Sequence, residues 1–304
     1  MVLPGGTGAP IELACAPDDL RQLAEHDAVH RTFAGGAGDL AALDTGAGPR
    51  GTVLLVAGYT GTKEDFAPLL RPLHDAGLRA VALDQRGQYE SPGPDDDARY
   101  SVAELGDDVV RVGRALRDEG GAPLHLVGHS FGGLVARAAV LADPELFDTL
   151  TLLGSGPSAL GGHRAELLEH LGPLLAAGGV PAVAEALEQL AMTDPKAQAV
   201  PQPTREFLNQ RFLRNSAAGL RGMAAAMTTE PDRVAELAAA GVPVLVAHGV
   251  ADDAWTPGVQ ADMARRLGAQ HEVVDRAIHS PAVENPDRTM QVLLDFWSSR
   301  AARP

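Results

Sequence analysis

Blocks of apolar positions alternate with amphipathic stretches along most of this chain. Short β-rich apolar runs occur at Thr52–Ala57, Arg79–Leu83, Leu124–Val127, Leu150–Leu153, Val244–Ala247 and Glu272–Val274. Most are separated by stretches with apolar residues at helical spacing: Lys63–Asp75, Val102–Asp118, Phe131–Leu141, Gly258–Leu267 and Pro286–Arg300. Strands that alternate with helices pair in parallel through right-handed crossovers. The runs TVLLVAG and PVLVAHG are apolar almost without a break, as expected of strands covered on both faces. Upstream, HRTFAGGAGDLAALDTG carries a GGAG centre that reads as a hairpin turn, so the sheet begins with antiparallel strands. The fold class is α/β, a mostly parallel central sheet with helices on both faces.

One segment breaks the rhythm. About ninety residues between Leu153 and Val244 show helical patterns and no convincing strand, as in HRAELLEHLGPLLAAGG, VPAVAEALEQLAM and TREFLNQRFLRN. That is too long for an ordinary connection. It reads as a helical cap, 159–229, inserted into a core domain made of 1–158 and 230–304.

Composition narrows the function classes. The net charge of −15 argues against a nucleic-acid partner, whose phosphates require Lys and Arg. The charge is uneven: 159–229 holds six basic and six acidic residues, so the remainder carries the whole excess. No unbroken apolar run approaches the about 20 residues that span a membrane. Cys15 is the single cysteine, which excludes an internal disulfide and a cysteine-based zinc cage. The start MVLPGGTGAP does not read as a signal peptide, so the expected location is cytoplasmic.

The chemistry gathers at one corner. Gly128-His129-Ser130-Phe131-Gly132 is a G-x-S-x-G pattern between a predicted strand and a predicted helix. That context marks a nucleophile elbow, a tight turn in which flanking glycines make room for the backbone. The helix that starts there aims free N–H groups at the serine, which favours an oxyanion. A serine hydroxyl also needs a base with an orienting carboxylate. His279 follows the last predicted strand, whereas His271 precedes it, at the wrong end of the sheet. Asp252 and Asp253 follow the strand ending in HG. In a parallel sheet, functional side chains collect at the carboxyl ends of strands. His129 reads as positional, and His125 and Trp255 read as core.

With these residues in order Ser, Asp, His, the chain resembles an α/β-hydrolase of the serine esterase and lipase type over nearly its full length. VAGYTGTKEDF resembles the family's oxyanion loop, with Ala57 in place of the usual histidine. ALDQRGQYESPG resembles its Asp-x-Arg-Gly-x-Gly-x-Ser segment, with Tyr89-Glu90 where a glycine is expected. HGVADDAWTP and IHSPAVENPD resemble the acid and histidine loops. The residues alone leave Asp252 and Asp253 open; the resemblance selects Asp252, three residues after the glycine.

The resemblance implies an acyl-enzyme mechanism. Ser130 is the nucleophile, His279 the base and Asp252 the orienting acid, with backbone N–H groups of Tyr59 and Phe131 as the oxyanion hole. It implies no metal and no organic cofactor, and a small-molecule acyl substrate. A thioesterase acting on an acyl carrier protein is a second reading, because Lys196–Arg221 holds five basic residues against one acidic and could dock an acidic carrier. A perhydrolase or lyase built on the same triad, and an inactive binding protein, are further readings.

Overall fold

The computed structural model describes residues 21–120, 123–193 and 195–301. The hairpin comes first. β1 (Val29–Gly35) and β2 (Gly38–Asp44) pair antiparallel from Val29↔Asp44 to Gly35↔Gly38, with the turn inside the GGAG segment. The strands β3 (Thr52–Val56), β4 (Arg79–Leu83), β5 (Leu124–His129), β6 (Thr149–Leu153), β7 (Val244–Gly249) and β8 (Gln270–Val274) follow. Their spatial order is β1-β2-β4-β3-β5-β6-β7-β8. β2 pairs antiparallel with β1 and β4, and the remaining neighbours pair in parallel.

Helices α1 (Ala67–Asp75), α2 (Val102–Asp118) and α3 (Phe131–Ala142) connect the first parallel strands. From β6 the chain leaves the sheet through α4 (Gly162–Ala191), α5 (Pro195–Gln198), α6 (Gln202–Leu213), α7 (Ala217–Thr229) and α8 (Val234–Ala239). It returns at β7, followed by α9 (Pro257–Leu267), β8, α10 (Pro281–Glu284) and α11 (Pro286–Ala301). Strand alternation feeds two core layers. Leu54 and Val56 of β3 pack with Val109 of α2 and Leu134 of α3, while Val53 and Leu55 pack with Leu70 of α1 and Phe296 of α11. Fully burying each such side chain stabilises the fold by about 1.5–3 kcal/mol. His125 and Trp255 are both buried, in line with their core reading.

Several boundaries differ from the sequence pattern. Lys63–Asp75 is not one helix: Lys63–Phe66 forms a 3-10 turn capped by Thr62 and Asp65, and α1 starts after it. β8 begins at Gln270, so His271 lies within the strand rather than ahead of it. β8 is one of the two edge strands and is only partly buried, so its polar first half hides it from an apolar-run search. α4 joins two predicted helical stretches across a kink at Gly179 (φ 66°, ψ −166°), close to Pro181. Among the described residues, α4 is the one helix long and apolar enough by length and composition to cross a membrane. A search for unbroken runs passes over it because Glu169 and His170 interrupt it, while its alanines and leucines carry the hydropathy. In this fold Leu175, Val180 and Val183 of α4 pack against Leu220 of α7 in a small separate core.

Candidate active site

The four loops that follow β3, β5, β7 and β8 meet at the carboxyl edge of the sheet. Ser130 sits between β5 and α3 at φ 54° and ψ −122°, a strained conformation for a residue with a Cβ. The glycines on either side are required by close approach. A Cβ on Gly128 would lie 2.3 Å from the Gly132 carbonyl oxygen, and one on Gly132 would lie 2.4 Å from the carbonyl oxygens of Val56 and Ala57. The Ser130 N–H donates to the Leu153 carbonyl at 2.9 Å, which pins the corner to β6.

The three side chains named from the sequence form one hydrogen-bonded chain. The Nε2 of His279 lies 2.9 Å from the Ser130 Oγ, and its Nδ1 lies 3.0 Å from the Asp252 Oδ1. Asp252 is 2% exposed and accepts further bonds from the Ala254 N–H and the Gln260 Nε2, both at 2.9 Å. Gln260 carries no signal in the sequence beyond an amide in an amphipathic helix. Asp253 points elsewhere and pairs with Arg164 at 2.6 Å. His271 is remote from the chain and pairs with His248 at 2.9 Å. His129 donates from Nε2 to the His279 carbonyl at 2.8 Å. Burial, and the neighbouring His279, push the His129 pKa down to about 4, so its ring is neutral at pH 7.

The loop after β3 abuts the serine: a Cβ on Gly58 would lie 3.1 Å from the Ser130 Cβ. The N–H groups of Tyr59 and Phe131 meet no acceptor among the described residues. Two glutamines brace this loop where the family resemblance led one to expect a histidine. Gln85 donates to the Ala57 carbonyl at 2.7 Å, and Gln88 donates to the Gly58 carbonyl at 2.9 Å. A trans peptide points its C=O and N–H in opposite directions. Holding the Gly58 carbonyl therefore fixes the direction of the Tyr59 N–H. Behind the loop, Lys63 is fully buried among Asp84, Glu64 and Glu90 at 2.8–2.9 Å. Burial opposes its charge, but the Asp84 and Glu64 carboxylates outweigh it and raise its pKa above the ordinary value. Burial pushes the Asp84 carboxyl up to about 7 even beside Lys63, while the Lys63 Nζ and backbone N–H both donate to its oxygens and favour the ionised form. Tyr89, at the expected glycine, takes φ 44° and lies under the Lys63 ammonium at 4.6 Å.

Ser130 and His279 open onto a cavity of about 550 Å³ between the sheet edge and the inserted helices. Leu160, Leu168, Leu171, Leu175, Val183 and Met227 give it a largely apolar wall. Three of the four arginines of the expected carrier-docking patch approach carboxylates of the sheet domain. Arg211 pairs with Asp65 at 2.6 Å, Arg221 with Asp97 at 2.9 Å, and Arg214 lies 3.9 Å from Glu90. For metal binding, the described residues offer Asp252, Asp253 and His279, whose ligand atoms lie within 4.8 Å of one another. All three are engaged in the bonds above, so no site stands ready there.

A family model described as the alpha/beta hydrolase family matches residues 53–292. RutD of Variovorax paradoxus (strain S110), assigned as a carbamate hydrolase, is 34% identical over 216 residues, covering 67% of this chain and 75% of that protein. The monoacylglycerol lipase of Mycolicibacterium smegmatis is 30% identical over 208 residues, covering 67% of this chain and 71% of its own. Among solved structures, a thermophilic esterase from Thermogutta terrifontis superposes with a TM-score of 0.74 at 24% identity, covering 90% of this chain and 99% of that one. The sheet order, the elbow and the family match together establish that the chain belongs to the alpha/beta hydrolase family.

Proposed function

We propose that this enzyme is a serine esterase that cleaves a carboxylic ester through an acyl-enzyme intermediate. The observation that carries the reading is the continuous bond path from Ser130 through His279 to Asp252 at the floor of an apolar cavity. His279 takes the Ser130 proton as Oγ attacks the carbonyl carbon, and the Asp252 carboxylate stabilises the imidazolium that forms. The N–H groups of Tyr59 and Phe131 receive the developing oxyanion, and one such donor is worth about 3 kcal/mol. His279 then returns the proton to the departing alkoxide. Water, activated by the same imidazole, adds to the acyl carbon and releases the acid and free Ser130.

The helices of 159–229 act as a cap that supplies the wall for an apolar acyl or alcohol group. They enclose the ester and exclude bulk water from the acyl-enzyme. The test is direct. A fluorophosphonate should label the protein at Ser130, located by peptide mass spectrometry, and p-nitrophenyl esters should turn over. Labelling elsewhere, or no turnover across acyl chains of two to twelve carbons, overturns the reading.

A further inference from the structure

The cavity differs in charge from the molecule that contains it. The chain carries a net charge of −15. Yet among the described residues the cavity is lined by three arginines, Arg164, Arg211 and Arg221, and by one carboxylate, Asp65. Each guanidinium is held along one edge. Asp253 holds Arg164, Asp97 holds Arg221, and neither of those aspartates lines the cavity.

Arg211 is the most enclosed of the three, with its side chain 12% exposed. Its bonds both leave from Nη1, to Asp65 Oδ1 at 2.6 Å and Thr62 Oγ1 at 3.2 Å. Its Nε and Nη2 meet no acceptor among the described residues, which leaves three N–H donors unused in a low-dielectric wall. Neither nitrogen is sealed from solvent, so this edge of the guanidinium is open to a ligand in the cavity. Asp65 does not answer them: its oxygens already accept from Arg211 Nη1, Gln22 Nε2 and the Thr62 N–H. Burial works against the Asp65 carboxylate, but Arg211 outweighs it and lowers its pKa, so the pair is ionised. Thr62 and Asp65 continue the loop that begins at Gly58 and Tyr59, and Arg211 lines the same cavity as Ser130.

We propose that the natural ester carries a carboxylate, on its acyl or its alcohol part, which docks on the free edge of Arg211. The proposal rests on the esterase reading. A planar guanidinium with adjacent unused donors matches a carboxylate bidentately, which a point charge does not. A chain of a few carbons along the leucine wall separates that carboxylate from the scissile carbonyl. The aspartates that pair with Arg164 and Arg221 lie outside the cavity lining, so the wall itself presents more cationic than anionic groups to an entering anion.

The experiment compares substrates of equal length. The ratio of kcat/KM for the p-nitrophenyl monoester of adipic acid to that for p-nitrophenyl hexanoate tests the acyl side. The ratio for 4-carboxyphenyl hexanoate to its 4-carboxamidophenyl analogue tests the alcohol side. At least one ratio should exceed ten at low salt and fall on adding sodium chloride. Arg211→Gln should collapse that ratio. So should the double variant Arg211→Gln with Asp65→Asn, which leaves no unpaired buried charge behind. Both wild-type ratios at or below one would overturn the proposal, as would a high ratio that survives both variants. Binding to Ser130→Ala separates this proposal from the esterase reading. Adipate or 4-carboxyphenyl hexanoate should bind more tightly than its neutral counterpart by calorimetry, whatever the nucleophile proves to be.

Discussion

The imidazole of His129 donates from Nε2 to the backbone carbonyl of His279 at 2.8 Å. One side chain thus ties the corner carrying Ser130 to the loop carrying the histidine that reaches it. The two loops are 149 positions apart in sequence, yet a single neutral ring beside the serine bridges them. His129 therefore acts through His279, as a positioning residue in the proposed mechanism.

Ser130→Ala should lower turnover of p-nitrophenyl esters by several orders of magnitude and leave the fold intact. The substitution removes only the Oγ, whose one side-chain hydrogen bond among the described residues is to His279. Retention of more than a few per cent of wild-type rate, measured with protein free of contaminating esterase, would remove Ser130 as nucleophile.

The adjacent aspartates should separate cleanly. Asp252→Asn should reduce kcat by about 10³–10⁴, because an amide cannot hold the His279 tautomer that accepts the serine proton. Asp253→Asn removes the negative partner of Arg164 at the cavity wall, leaving at most a neutral amide acceptor, and should shift KM more than kcat. Steady-state kinetics of both variants on one ester distinguishes the roles; the reverse order would move the acid to Asp253.

Gln88→Leu should lower kcat about 10- to 100-fold with a smaller change in KM, because the Gly58 carbonyl loses one of the two donors that fix the Tyr59 N–H and keeps only the Gly61 N–H at 3.1 Å. A transition-state mimic such as a trifluoromethyl ketone should lose affinity in proportion to kcat/KM. A general loss of folding would instead lower the active fraction without changing that affinity per active site. Unchanged inhibitor affinity would assign Gln88 a packing role only.

Acid should destabilise the fold through His125. Burial depresses its pKa from 6.5 to about 4, in a ring stacked on Trp297 at 4.8 Å. The unfolded chain binds the proton more readily, so this stabilisation is complete above about pH 6.5 and is lost as pH falls through about 4. The displacement corresponds to about 3 kcal/mol. His125→Gln should therefore flatten the fall of Tm between pH 6.5 and 4, and identical slopes would refute the assignment.

The elbow was legible because its requirements are local: a strand, a serine between glycines, and a helix within seventeen residues. The acid and histidine loops were legible because strand ends place them. What the sequence withheld are polar contacts between distant segments. Gln88 meets the Gly58 carbonyl, Gln260 meets Asp252, and Lys63 meets Asp84 only once the sheet has ordered the loops. None has a periodicity or motif of its own. The arginines between Lys196 and Arg221 show the same limit. Spacing presents them as a basic patch, but pairing with Asp65 and Asp97 turns two of them into ties between the inserted helices and the core. Tyr89 shows the converse. Its positive φ follows from the turn, and the cations of Lys63 and Arg214 over its ring, at 4.6 and 4.5 Å, explain how a tyrosine is held there.

The caged Lys63 has a practical consequence. The chain contains just two lysines, Lys63 and Lys196. Lys63 is fully enclosed, and its ammonium is held by three carboxylates that keep it protonated. Acylating reagents need a neutral, accessible amine, so Lys63 should stay silent while the protein is folded. Mass-spectrometric appearance of a modified Lys63 then becomes an internal clock for opening of the sheet domain, with no probe introduced.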